Sequence, residues 1–444
     1  MRFYNIILPV VILLAALSCS SSGHNDSQKF NALKSSFDTG YQAIGIRTMG
    51  FDYKENLAHI QTMDTLDLQR HFFATIRQQL RGIDRSALKG ADRVAYDQID
   101  YEITLNKQRI DLEKAFSNEH TSIPAGGLHA LDKKWYEYYI KFYTSIEVTP
   151  DQLYAYGERE VKRVKKEINR IQIQLGYGHD EVGFYRMLQS DSFYLTDRSD
   201  IMKRYTRIGQ TVSEHLGHLF LDTDIAPLTF MEWPGANKQT PPGYYSPAGD
   251  NQYGKGVFFF NFYNGRHSKR SMDWLYMHEG VPGHHYQWST RARLPQPDSF
   301  RQLFFYPGNV EGWAAYIEYY GKDMGLYSAP YTELGKWEWD LVRSVRILID
   351  VGIHYKGWTH EQALLCWKQY IYGQDDIAER EVTRCTNWPA QALSYKVGAA
   401  KIMELRDTLR KRQGSAFDIR KFHAQFLSYG NIPMQVIEKD MLSH

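Results

Sequence analysis

The densest group of reactive side chains lies in Met277-His278-Glu279-Gly280-Val281-Pro282-Gly283-His284-His285, with three imidazoles and one carboxylate in eight residues. Neutral imidazole and carboxylate are the ligands zinc takes where no thiolate is offered. His-Glu also opens a known zinc-binding helix, in which the Glu is no ligand but the base that deprotonates water at the metal. The spacing here departs from the simple i, i+4 pattern. On an uninterrupted helix His284 would lie about 240° around from His278, and His285 would return to the same face about 10 Å along the axis. Pro282-Gly283 offers a way out, because proline interrupts the hydrogen-bond ladder and glycine accepts backbone angles other residues avoid. The residues leave two candidates for the second ligand. His284 is favoured, with His285 as a neighbour that orients or contacts substrate; the reverse assignment is the alternative.

A catalytic zinc needs a third protein ligand and an open position. Glu311, 27 residues after His284, opens the apolar stretch Glu311-Gly312-Trp313-Ala314-Ala315-Tyr316-Ile317-Glu318. A lone Glu there would be a carboxylate favoured by a helix N-terminus; beside a His-Glu-His cluster it is the expected third ligand. Glu318 lies two turns along on the same face. Arg343 and Arg346, three apart on one helical face, suit a substrate carboxylate or a structural pairing with Asp350.

The ordered blocks His-Glu-Gly-x-Pro-Gly-His-His, Glu-Gly-Trp-Ala, Arg343 to His354, and Pro389-Ala390-Gln391-Ala392-Leu393-Ser394-Tyr395-Lys396-Val397-Gly398 resemble the bacterial domain-of-unknown-function family 885. Leu131 to Ile168 and the stretch ending in Asn261 resemble further blocks, so the likeness covers most of the chain. It implies a mainly α-helical zincin-like fold, similar to the gluzincin metallopeptidases, with a deep channel. It also implies that Tyr395 and His354 correspond to the downstream Tyr and His that stabilise an oxyanion in such enzymes. Two positions depart from the family pattern: Ala390, where Gly is usual, and Cys385, where a Tyr usually follows the Arg.

The elements that must position these residues are legible in outline. Ala91 to Phe116 carries Val94, Ile99, Ile103, Ile110 and Leu112 near helical spacing. Thr149-Pro150-Asp151 is an N-cap and first turn for a helix through Val161, Val164, Ile168 and Ile171, ending near Gly176. Its basic outer face is solvated surface. Between about Ala226 and Gly265, prolines and glycines punctuate an irregular stretch. Within it, Gly256 to Tyr263 is the best strand candidate, and Val257 to Asn261, just before the zinc helix, would suit pairing with an extended peptide main chain. Helix signals resume at Ser271 and continue to the end, with a turn at 430–433. The expected architecture is therefore mainly α, with a small edge β-sheet beside the zinc helix.

The N-terminus has the pattern of an export signal. Arg2 precedes an apolar run from Ile6 to Leu17 that is too short to span a membrane, ending in Ala16-Leu17-Ser18-Cys19 and a Ser-rich tract. Residues 1–19 are expected to be a lipoprotein signal with Cys19 lipidated, 20–28 a polar linker, and 29–444 a single domain. The expected location is the outer membrane, facing the periplasm. Cys366 and Cys385 make no disulfide framework and are structural or free. Tyr, Phe and Trp number 32, 22 and 10, enough for an aromatic-lined cleft and equally for a bulky helical core. A net charge of +2 with no long basic run gives no electrostatic case for nucleic acid.

The expected function is zinc-dependent hydrolysis of peptide bonds. His278, His284 and Glu311 hold the metal, Glu279 is the general base, and Tyr395 and His354 are oxyanion donors. His285, Arg343 and Arg346 contact substrate. The alternatives are hydrolysis of a non-peptide amide or ester by the same groups, or a non-catalytic binding lipoprotein on this scaffold.

Overall fold

The computed structural model describes residues 22–119, 123, 127–295 and 298–443. The export signal and Cys19 lie outside the described residues. The first helix begins at Ser22, so residues 22–28 of the expected linker are helical; Phe30 and Phe37 of the same helix are fully buried. The chain is mainly α with small sheets, as its periodicity predicts.

Eight helices matter for the site: α1 (Lys133–Thr144), α2 (Pro150–Gln174), α3 (Lys269–Glu279), α4 (His284–Arg291), α5 (Pro307–Ile317), α6 (Pro330–His354), α7 (Asp375–Asn387) and α8 (Leu393–Gln413). Helix α2 starts where expected. The Thr149 hydroxyl accepts from the Gln152 N–H while the Gln152 side chain accepts from the Thr149 N–H, satisfying two donors that a helix start otherwise leaves unpaired. Helix α6 is buried along nearly its whole length, so it serves as the central post against which α2, α3, α7 and α8 pack.

Three strands form a sheet: β1 (Leu228–Glu232), β2 (Gly243–Ser246) and β3 (Gly256–Phe260). The order is β1-β3-β2, with β3 parallel to β1 and antiparallel to β2. This corrects the expectation that residues 257–261 receive a peptide main chain. Strand β3 is central, and both its edges are occupied. The two edges among the described residues are β1 and β2, and β2 is the one that borders the cleft.

Helices α5 and α8 cross at a distance only glycine permits. A Cβ on Gly398 would sit 2.3 Å from the Gly308 carbonyl oxygen, and one on Gly312 would sit 2.8 Å from Gly398 Cα. Gly308 in turn meets the Thr144 carbonyl oxygen of α1, where a Cβ would lie at 2.6 Å. Glycines four apart on α5 thus face Gly398, and this contact sets the distance between Glu311 and Tyr395. The Ala390 departure also has a backbone meaning. Its φ is 64°, a conformation that glycine adopts freely and alanine adopts at some cost, while its N–H donates to Asp350 Oδ1 at 2.9 Å. The Cys385 departure is silent in the cleft, because that thiol is buried in the core.

Replacing Gly398 with Ala should force α5 and α8 apart and cost about 1–3 kcal/mol, the usual range for overpacking. A lowered denaturation midpoint together with weakened metal binding is the expected result; unchanged metal affinity would uncouple this crossing from the site.

Candidate metal centre and cleft

Helix α3 ends just after His278 and Glu279, and a new helix begins at His284. The expected interruption is therefore a full break. Gly283 turns back onto the end of α3 so tightly that a Cβ there would lie 2.0 Å from the His278 carbonyl oxygen. The Val281–Pro282 peptide is cis. Trp313 of α5 fastens the loop, its indole N–H donating to the Pro282 carbonyl at 3.0 Å. The reversal puts the His278 and His284 rings 4.8 Å apart between centroids, nearly perpendicular at 80°.

Glu311, in the first turns of α5, completes the group. Its Oε2 lies 3.4 Å from both His278 Nε2 and His284 Nε2. Tetrahedral zinc with bonds of about 2.0–2.1 Å separates its ligand atoms by roughly 3.3–3.4 Å, so these distances fit the ion. The three ligand atoms lie within 4.8 Å of one another, and Glu311 Oε2 is buried with no hydrogen-bond partner among the described residues. The site therefore offers two imidazoles, one carboxylate and an open side onto the cleft.

The protonation pattern is arranged around His278. Its Nδ1–H donates to Glu318 Oε1 at 2.8 Å, which leaves the Nε2 lone pair facing Glu311 and the metal position. Glu318 Oε2 in turn accepts from Arg343 Nη1 at 2.7 Å. Burial opposes charge on His278, yet the Glu311 and Glu318 carboxylates beside it raise it to about 9, so the Nε2 lone pair is free only when a cation takes the place of the second proton. Burial likewise opposes charge on Glu311 and Glu318. The two imidazoles hold Glu311 well below the carboxylate range, and Arg343 with His278 lowers Glu318. The buried carboxylates of Glu279 and Glu318 and the partly exposed one of Glu311, set around two imidazoles, favour a bound cation. Glu279 is raised, chiefly by burial, as suits a general base working near neutrality; the Tyr245 N–H of β2 donates to it.

These groups open into a cleft of about 730 Å³. Its lining includes Tyr244 and Tyr245 of β2, the indoles of Trp233, Trp288, Trp339 and Trp388, and Tyr395. The Tyr395 ring stacks on that of His278 at 6.1 Å, and its hydroxyl accepts from Arg384 Nη2 at 3.0 Å. That leaves the phenolic hydrogen free to donate to a substrate. Phe305 and Tyr244, 53% and 47% exposed, give the mouth an apolar rim.

Two expected residues are elsewhere. His354 is fully buried; its Nδ1 accepts from the Leu128 N–H at 3.2 Å and its Nε2 donates to the Cys385 carbonyl at 2.8 Å. Burial pushes it down to about 4. It is a neutral core histidine and reaches no oxyanion. His285 is equally committed, to the Ala226 carbonyl at 2.6 Å and the Tyr245 hydroxyl at 3.1 Å, so it braces β2 against α4 instead of touching substrate. Of the arginines, neither pairs with Asp350. Arg343 serves Glu318, and Arg346 pairs with Glu381; both line the cleft. Glu318, Glu381 and Arg384 carry parts of the site to which no role was assigned from sequence. The i+7 spacing of Glu318 from Glu311 was its only local signal, and Arg384 gave none.

Residues 120–441 match the model of a family described as Bacterial protein of unknown function (DUF885). The chain belongs to that family. Two solved structures share the fold of this DUF885 protein. A predicted lipoprotein of Colwellia psychrerythraea is 24% identical with a TM-score of 0.68, over 94% of this chain and 76% of that one. A predicted lipoprotein of unknown function from Shewanella oneidensis is 20% identical with a TM-score of 0.60, over 95% of this chain and 87% of that one. No curated protein matches.

If the site is a metal centre, the full-length protein supplied with zinc should hold about one ion per chain, and His278→Ala should lose it. Glu318→Gln should weaken binding about 10–100-fold in competition with a chelating indicator, while the fold stays intact. Full zinc affinity in that variant would remove Glu318 from its orienting role.

Proposed function

We propose that this DUF885 protein is a zinc-dependent hydrolase that cleaves peptide bonds. The observation that carries the reading is the convergence of His278 Nε2, His284 Nε2 and Glu311 Oε2 beside a buried carboxylate, Glu279, on one cleft. His278, His284 and Glu311 would hold the zinc ion, which would supply a Lewis acid and lower the pKa of water at the site. Glu279 accepts the proton from the attacking water and passes it to the departing nitrogen. Tyr395 donates its hydroxyl hydrogen to the oxygen that gains charge as the carbonyl carbon becomes tetrahedral. Arg384, donating to the same hydroxyl oxygen, holds it in place.

A peptide suits the cleft for two reasons. Strand β2 borders it and has no further strand beyond it among the described residues, so an extended main chain can lie alongside. The indole-rich lining offers apolar surface for side chains. Glu279→Gln should lower kcat by at least 10³-fold on peptide substrates while zinc content is unchanged. Turnover within tenfold of the parent would take the base role away from Glu279.

The proposed setting is the outer membrane, facing the periplasm, with the chain anchored through Cys19. Support comes from the sequence pattern around that cysteine and from the two fold relatives, both predicted lipoproteins. No helix among the described residues is long and apolar enough to cross a membrane. Labelled palmitate should enter the parent protein and not Cys19→Ala; label retained in the variant would refute the anchor.

A further inference from the structure

Four guanidinium groups line the cleft: Arg343 and Arg346 from α6, Arg380 and Arg384 from α7. Three are ion-paired within the protein. Arg343 pairs with Glu318 at 2.7 Å, and Arg346 and Arg380 share the single carboxylate of Glu381. Arg384 alone among them has only neutral partners. Its Nε and Nη2 donate to Gln391 Oε1 at 3.2 and 2.7 Å, and Nη2 also donates to the Tyr395 hydroxyl. Among the described residues Nη1 makes no hydrogen bond, and no ion pair reaches this side chain. The rings of Trp388 and Tyr395 flank it, at 5.4 and 5.6 Å from Cζ.

A guanidinium stays charged at any physiological pH, and its planar fork matches a carboxylate through two parallel hydrogen bonds. Setting such a charge into a cleft wall on neutral acceptors alone is unfavourable unless an anion joins it. Arg346 adds to the deficit. It is 1% exposed, its Nε has no hydrogen-bond partner among the described residues, and its counter-ion is already shared. The position matters as much as the charge. Arg384 touches the Tyr395 hydroxyl, and the Tyr395 ring stacks on the metal-ligating His278. An anion on Arg384 is therefore one side chain away from the metal ligands. At about 3.5 Å of extended chain per residue, that is the reach of the last few residues of a peptide.

We propose that Arg384 receives the free α-carboxylate of the substrate, so that the protein cleaves peptides near their C-terminal end and does not cut within long chains. This rests on the hydrolase reading above. Water is the co-reactant: the carbon–nitrogen bond breaks, the carbonyl carbon gains the hydroxyl, and the nitrogen leaves with the proton carried by Glu279. The carboxylate-binding role, placed on Arg343 and Arg346 from their spacing alone, passes to Arg384 because Glu318 and Glu381 already occupy the other two.

The test uses two mixed-sequence peptide libraries that differ only in ending in a carboxylate or a carboxamide. Both are incubated with zinc-loaded full-length protein and with Arg384→Gln, and products are mapped by mass spectrometry. The expected result is cleavage at a fixed distance from the C-terminus, at least tenfold faster for the acid library. On the best acid peptide, Arg384→Gln should raise KM at least tenfold with a smaller change in kcat, and it should reduce the tenfold preference for the acid library to about twofold or less. Equal cleavage of both libraries would overturn the carboxylate site and leave the hydrolase standing. An equal loss on both libraries in the variant, with the acid preference intact, would also overturn it, and would leave Arg384 only its hold on Tyr395. No cleavage of either library would refute the peptidase itself, and this assignment would fall with it.

Discussion

The site depends on one geometric constraint: two imidazoles six residues apart must face the same point. No continuous helix allows it, since six residues turn the chain about 240°. The chain meets the constraint by ending α3 at Glu279 and restarting at His284, with Gly283 pressed onto the His278 carbonyl where any side chain would collide. Trp313 then ties the reversed loop to α5, the same helix that presents Glu311. A single contact therefore closes the loop on the helix that brings Glu311 to the two imidazoles.

Charge is buried around this point to an extent that stability alone does not explain. Arg343, Glu318 and His278 form a chain in which every member is almost fully buried, and Arg346 with Glu381 forms a second pair. Removing charges from water is costly, and replacing such pairs with well-packed apolar side chains is often neutral or stabilising. Their use here is orientation. Glu318 fixes which nitrogen of His278 carries the proton. Behind Tyr395, Lys396 is held between Asp340 of α6 and Glu160 of α2, the latter at 2.8 Å, which pins α8 from its far side. The glycine crossing of α5 and α8 fixes the near side. His278, His284, Glu311 and Tyr395 thus sit on separate helices whose relative placement leaves little freedom.

Much of this was legible in the residues, and the failures have a common cause. The N-cap and first turn of α2, the helix through residues 91–116, the break at Pro282-Gly283 and the approach of Glu311 to the two imidazoles all follow from local chemistry: a hydroxyl before a proline, apolar spacing, a missing N–H, a carboxylate opening an apolar helix. His354 misled because a histidine near a cleft and a histidine in a core look alike along a chain; its two ring nitrogens are consumed by Leu128 and Cys385, distant in sequence. The strand at residues 256–260 was found, but its place at the centre of the sheet was not, since pairing partners are set by β1 and β2 folding back on it.

By itself, then, the sequence determined the mainly helical class, the interrupted His-Glu helix, the residue types that converge on the cleft and the family. These rest on interactions between residues close along the chain, or on the donor chemistry of single side chains. Only the tertiary structure decided that His284 joins His278 while His285 braces a strand, that Glu318 and not a nearer residue orients the metal-facing imidazole, and that Arg384 is the cleft arginine without a carboxylate. Each of those outcomes is a competition among several partners for one charged or hydrogen-bonding group. Such a competition is settled by which side chains the packed helices bring within about 3 Å of each other, a distance that spacing along the chain does not encode.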